Sequence, residues 1–258
     1  MHPFKEKIRN ALVTTLKNDP RALAAWEAGS AANGTSDSFS DLDLMIVGQE
    51  DIDGLFAEIE TALNQTSRVS HRYIEPKSLW PDCYSRIYFL EGAPKHFFVD
   101  VGIVLHTAKE PISEVLQVER HGRPVIHFDK TGVVNPRGVD SVAFNLKLKK
   151  RLNEIESAFP IYKTEVFKEI DRGHFIDAYA FYFSGIIKPL VELLGMMHRP
   201  FRFDFGLRYI HKTFPETEQR AIETLLQIQS LKDLGEKTRA AELLFDKVKI
   251  QVHEKLNV

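Results

Sequence analysis

Leu23-Ala24-Ala25-Trp26-Glu27-Ala28-Gly29-Ser30 and, ten residues later, Asp41-Leu42-Asp43-Leu44-Met45-Ile46-Val47 decide how this chain is read. An apolar lead-in delivers a small Gly-Ser turn, and a second apolar run opens on two acids. If residues 41–47 form a strand, Asp41, Asp43 and Met45 share one face while Leu42, Leu44 and Ile46 share the other. Two like charges held side by side repel, and the pairing is costly unless a cation or hydrogen-bond donors neutralise it. A hard divalent ion with oxygen ligands would do so, and Mg²⁺ is commonly held by one or two carboxylates together with substrate phosphates.

The turn supplies the other half of the argument. Glycine allows close approach of the backbone to a ligand, and successive turn amides can form a nest for an anion. Gly29 and Ser30 are therefore candidates for binding nucleotide phosphates beside the carboxylates. Taken singly, each feature has a plainer reading, since Asp and Ser are ordinary turn residues and an Asp-x-Asp strand end can simply be solvated. It is the combination at this spacing that points to a metal-nucleotide site.

Gly29-Ser30 followed by Asp37-Ser38-Phe39-Ser40-Asp41-Leu42-Asp43-Leu44 resembles the signature of the DNA polymerase β-type nucleotidyltransferases, and within them the small-molecule adenylyltransferases of the aminoglycoside, streptomycin type. The resemblance is firm over about residues 26–47 and loose to about residue 105. It implies an N-terminal nucleotidyltransferase fold with a mixed β-sheet, ATP as nucleotide donor, Mg²⁺, and a third acid on a neighbouring strand. In Phe97-Phe98-Val99-Asp100-Val101-Gly102-Ile103-Val104 one acid interrupts an apolar strand, and burying an unpaired carboxylate is costly. Asp100 fits the third position. The resemblance gives Asp41, Asp43 and Asp100 shared metal ligation and activation of the acceptor hydroxyl; the alternative for Asp100 is an ion pair with Arg86 or Lys95.

The chain has 258 residues, longer than one typical domain, with 43% hydrophobic and 27% charged residues. A net charge of −2 offers little electrostatic pull on a polynucleotide backbone, so a nucleic-acid partner is disfavoured. The single Cys83 excludes an internal disulfide and a Cys-rich zinc site. Phe4, Ile8, Leu12 and Leu16 form one face of an amphipathic helix without the apolar core of a secretory signal. No apolar run approaches the ~20 residues needed to span a bilayer, so no membrane partner and a cytoplasmic location are expected.

In chain order, the first helix should end near Pro20, and a short strand should occupy residues 24–28. Residues 52–65 carry a helical stripe, 68–74 a strand, and 75–82 a loop. Strands over 85–90 and 96–105 should form a hairpin, 111–118 a short helix, and 125–128 an edge strand. His121 and His127 read as surface or packing residues. A boundary near residue 135 separates a catalytic domain, 1–135, from an all-α domain, 136–258, expected to close over the cleft.

In the second half, a helix spanning Val142 to Phe159 should break at Pro160, with Lys147-Leu148-Lys149-Lys150-Arg151 along its polar side, read as a solvated face in preference to a hold on a triphosphate tail. Phe175 to Leu194 is apolar almost all round, as befits the centre of a bundle, with Gly195 as its cap. Lys188 within it reads as a buried ammonium whose counter-charge is a nucleotide phosphate or Glu192 one turn on. It is counted with Gly29 and Ser30 among the nucleotide-binding candidates. The aromatic-basic segment Arg199 to Tyr209 reads as a connector or a stacking surface. Two helices near 215–230 and 232–256 should close the chain.

The function expected is Mg²⁺-dependent transfer of AMP from ATP to a hydroxyl of a small molecule, an aminoglycoside-like antibiotic among them. The rivals are a nucleotide-binding regulatory or antitoxin-like protein, an inactive scaffold of the same fold, and transfer to protein or RNA. The sequence does not determine the oligomeric state.

Overall fold

The computed structural model describes residues 2–76 and 82–257 and divides into two compact units, Met1–Val139 and Asp140–Val258. The first is a mixed six-stranded sheet with helices and the second is all helix, which meets the expected α/β plus all-α fold class. The loop expected over 75–82 lies partly outside the described residues.

The first unit contains helices α1 (Pro3–Asn18), α2 (Gly29–Ala32), α3 (Ile52–Thr66), α4 (Lys109–Val115) and α5 (Val118–His121). Its strands are β1 (Ala22–Glu27), β2 (Leu42–Gly48), β3 (Val69–Ile74), β4 (Cys83–Leu90), β5 (Val99–Leu105) and β6 (Val125–Asp129), in the sheet order β3-β4-β5-β2-β1-β6. Only β2 and β5 run parallel; every other neighbouring pair is antiparallel. The period-2 alternation divides the apolar residues between two faces. Leu42, Leu44, Ile46, Val99, Val101 and Ile103 pack under α1 and α3, against Ile8, Leu12, Leu16, Leu55, Phe56 and Ile59. On the opposite face Ala24, Trp26, Val47 and Val104 are covered by Ile112, Val115 and Leu116. That second core reaches only as far as Met45, whose sulfur fills the space a side chain at Gly102 would need, 2.5 Å from a Cβ placed there. Beyond it the face carries the acids.

In the second unit, α6 (Ser141–Asp171) runs for 31 residues straight through Pro160 instead of breaking there. A mid-helix proline costs about 3 kcal/mol, but buried residues on both sides hold the helix down: Leu152, Ile155 and Phe159 before it, Val166 after it. Phe159 stacks on Phe245 at 3.8 Å between ring centroids. Packing outweighs the local propensity.

The apolar helix expected over 175–194 is three joined pieces: α7 (Phe175–Tyr182), one wide π-turn (Phe183–Ile187) and α8 (Lys188–His198). The wide turn falls where the ring of Pro189 would otherwise strike the carbonyl one turn earlier, a common cause of such distortions. Gly195 is not the cap but a buried residue within α8, where a Cβ would come 2.8 Å from the backbone of Phe203. By length and composition Phe175–His198 would suffice to cross a bilayer, contrary to the expectation from sequence, yet 56% of its apolar window is buried among its neighbours. Short α9 (Ile210–Thr213), then α10 (Glu216–Leu226) and α11 (Leu231–Leu256), complete the unit. The Tyr182 hydroxyl donates to the Leu225 carbonyl at 2.8 Å, tying the π-turn region to the end of α10.

Gly185 sits inside the π-turn, and a Cβ there would lie 2.1 Å from Cγ of Tyr162. Gly185→Ala should therefore lower stability by roughly 1–3 kcal/mol even though alanine is the better helix former. An unchanged urea midpoint would show that Tyr162 yields without cost.

Candidate active site

The sheet register places the acidic residues in rows. Asp43 is paired with Asp100 across the parallel strands β2 and β5, and Asp100 is paired with Ile87, which is paired with Tyr73. The next row is Met45, Gly102 and Ser85, continued by Glu75, whose amide donates to the Ser85 carbonyl at 3.1 Å. In the row on the other side stands Asp41, one residue ahead of β2, its Oδ1 accepting the Phe98 amide at 3.1 Å. That row continues through Phe89 to His71, with ring centroids 5.8 Å apart for Phe98 and Phe89 and 5.9 Å for Phe89 and His71. Asp41, Asp43 and Asp100 thus lie on one face, each half-buried.

Crowding shows in their acidities. Burial is the largest influence on Asp100 and, with the added charges of Asp43, Glu75 and Asp41, pushes its pKa up to about 6; the Ser85 hydroxyl, 3.3 Å away, acts in the opposite sense. Burial likewise raises Asp41, joined by the charge of Asp43 and opposed by the Phe98 amide and Lys5. The ion pair considered for Asp100 is not formed by Arg86. Its guanidinium instead meets Asp53 at 2.6 Å and Glu60 at 3.5 Å and lies over the ring of Phe56. Opposite parity along β4 accounts for this, because Arg86 is in register with Val101 and faces the α1–α3 core side.

The Gly-Ser turn is fastened to the second acid. The Ala28 amide donates to the Asp43 carbonyl at 3.0 Å, after which Gly29 takes φ +55°, in the left-handed region. A Cβ on Gly29 would lie 1.9 Å from Asp43 Oδ2, so only glycine lets the chain pass this close to the carboxylate. Asn33 donates to the Gly29 carbonyl at 2.6 Å and to the His121 carbonyl at 3.4 Å, bracing the turn from α5. The Ser30 hydroxyl is 3.1 Å from that of Ser36. Ser85 and Asn33 are site-supporting residues that the sequence reading did not single out.

Lys188 does not meet its description as a buried ammonium. It is exposed at the start of α8, with its Nζ 5.4 Å from the centroid of Phe183. Glu192, its suggested partner, instead forms a two-pronged pair with Arg151, at 2.7 and 3.0 Å. His127 faces Glu27 at 3.2 Å, a packing role.

The donor set at Asp41, Asp43 and Asp100 is all hard oxygen, carries repelling charge, and has a cradle that a Cβ would fill. These features fit a divalent cation such as Mg²⁺. Among the described residues, the group whose possible ligand atoms all lie within 4.8 Å of one another is Glu169, His174 and Asp177 in the helical unit; Asp41, Asp43 and Asp100 share a face of the sheet without meeting that spacing. In the helical group the Glu169 carboxylate already has partners on both oxygens, Arg172 at 2.5 Å and His174 at 2.9 Å, so an ion would have to displace existing compensation.

No family model matches the chain, and no curated protein is similar to it. Among solved structures, an aminoglycoside 6-adenyltransferase from Bacillus subtilis is similar at 14% identity over 100% of this chain and 92% of its own, with a TM-score of 0.38. A nucleotidyltransferase-like protein from Exiguobacterium sibiricum is similar at 11% identity over 96% of this chain and 74% of its own, with a TM-score of 0.35. The functional reading rests instead on the residues themselves.

The raised pKa of Asp100 has a measurable consequence. Its folded-state pKa, about 6, lies above the ordinary carboxylate range that holds in the unfolded chain, so the stability it contributes is present at low pH and lost as pH rises through 6. In metal-free protein the loss should be on the order of 3 kcal/mol between pH 4 and 7. Asp100→Asn should remove that decline, seen as a divergence of the two unfolding free energies with pH. Parallel curves would contradict the burial of this carboxyl.

Proposed function

We propose that the chain is a Mg²⁺-dependent nucleotidyltransferase that moves AMP from ATP to a hydroxyl of a small molecule in the cytoplasm. The observation that carries this reading is the pairing of Asp43 with Asp100 on adjacent parallel strands, with the Gly29 backbone packed against the Asp43 carboxylate. Asp41, Asp43 and Asp100 would hold the metal, which supplies Lewis-acid stabilisation of charge on the attacking and leaving oxygens. Ser30 and the neighbouring turn amides orient the phosphates. As the oxygen of the acceptor hydroxyl bonds to the α-phosphorus, its proton would pass to Asp100. The bond from the α-phosphorus to the bridging oxygen breaks, and pyrophosphate departs. Lys188 is retained only as a solvent-facing cation of the helical unit.

The test is pyrophosphate release from ATP and Mg²⁺ with a panel of aminoglycosides, lincosamides, nucleosides and short RNAs. A labelled small molecule supports the reading; label on RNA alone or on a protein side chain moves the acceptor to those classes. Nucleotide binding without release would make the chain a regulatory binder. Asp41→Asn and Asp43→Asn should each lower turnover by about a hundredfold or more, because this chemistry depends chiefly on electrostatic stabilisation. Relief of like-charge repulsion should leave their melting temperatures in the absence of Mg²⁺ equal to or above that of the unaltered protein. A marked fall would contradict the account.

A further inference from the structure

Beneath the acids lies a buried ionic cluster that the chemistry above does not use. Glu27, at the end of β1, is 1% exposed, and Lys5 on the core face of α1 is 4% exposed. The Lys5 Nζ is 3.8 Å from Glu27 Oε2, while Arg9 and His127 approach Glu27 Oε1 at 3.7 and 3.2 Å. Taking an ammonium and a carboxylate out of water costs several kcal/mol each, and one ion pair seldom returns it. Glu27 already has the Arg9 guanidinium and the His127 ring beside its Oε1. What Lys5 alone adds is a bond from its Nζ to the Asp41 carbonyl at 2.5 Å.

The sheet geometry explains why that carbonyl needs a donor. Along β2 alternate residues direct their amide and carbonyl toward β5 or toward β1. Leu42 points to β5, its amide donating to the Phe98 carbonyl at 3.2 Å. Asp43 points to β1, where its carbonyl takes the Ala28 amide. Asp41 points the same way as Asp43, but β1 has ended at Glu27 and the chain has turned off at Gly29. Lys5 stands where the next strand amide would be. We propose that Lys5 is a positioning residue for the metal site, a side-chain substitute for the missing strand donor that fixes the Asp41 peptide and thereby aims the Asp41 carboxylate beside Asp43. This rests on the metal-site reading given above. Asp41 is then held from two sides, its carbonyl by Lys5 and its Oδ1 by the Phe98 amide.

Mn²⁺ affinity of the full chain, measured by electron paramagnetic resonance without nucleotide, provides the test. Lys5→Met keeps the stem and leaves Glu27 with Arg9 and His127. It should fold yet bind Mn²⁺ about tenfold or more weakly, the usual scale for losing a group that orients a metal ligand. Arg9→Met removes a cation from the same carboxylate without touching Asp41, and should leave the affinity at the unaltered value. If Lys5→Met does not fold, Lys5→Met combined with Glu27→Gln removes both buried charges, and the same loss is expected. Unaltered affinity in a folded Lys5 variant overturns the positioning role alone. Equal weakening by Arg9→Met overturns it too, since the cluster would then act only through general stability. An unaltered protein that takes up no Mn²⁺ overturns the metal-site reading, and the positioning role with it.

Discussion

Asp43 beside Asp100 is the constraint around which the acidic face of this sheet is arranged. Parallel pairing forces the two carboxylates onto the same face in the same row, and partial burial limits the solvent that would dilute their repulsion. Nothing in the packing of the sheet requires this. The α1–α3 core would form equally well with apolar or neutral residues at positions 43 and 100, because those side chains do not enter it. A charge arrangement that raises the energy of the fold without serving its core is the sort of strain found where proteins handle cations or phosphates.

The surrounding structure bears on that one row. Gly102 leaves room for the Met45 sulfur in the row next to the acids, and Gly29 is left-handed where the turn passes against the Asp43 carboxylate. Ser85 tempers Asp100 from the neighbouring strand, and Asn33 ties the turn to the end of α5. The two cores have unequal reach: one underlies the whole sheet centre, and the other stops where the acids begin. The site is the part of the sheet that packing leaves to polar chemistry.

Much of this was legible in the sequence because period-2 alternation and turn chemistry are local. The order of elements, the strand faces and the acid on an apolar strand at Asp100 could all be read from residues a few positions apart. What escaped depends on contacts between distant segments. Lys5 lies three and seven residues before Ile8 and Leu12, on their helical face, yet a lysine in an amphipathic helix is ordinarily assigned to water, and only the burial of Glu27 opposite reveals otherwise. The break expected at Pro160 failed because Phe159 stacking on Phe245 outweighs a lost hydrogen bond. Lys188 was misjudged for a related reason: the π-turn shifts the helical phase just ahead of it, carrying its side chain outward and leaving Glu192 to Arg151.

The pairing of β2 with β5 also shapes how the unit folds. Its partners are far apart in sequence, 57 residues from Asp41 to Phe98, and between them lie α3, β3 and β4. Closing so long a loop is entropically slow, and parallel strands have no tight turn to nucleate them. Pairing across so long a separation is expected late in folding, and here it brings like charges together. Screening salt, protonation or a divalent ion lowers that electrostatic barrier, so an ion that fits the finished site also acts on its assembly.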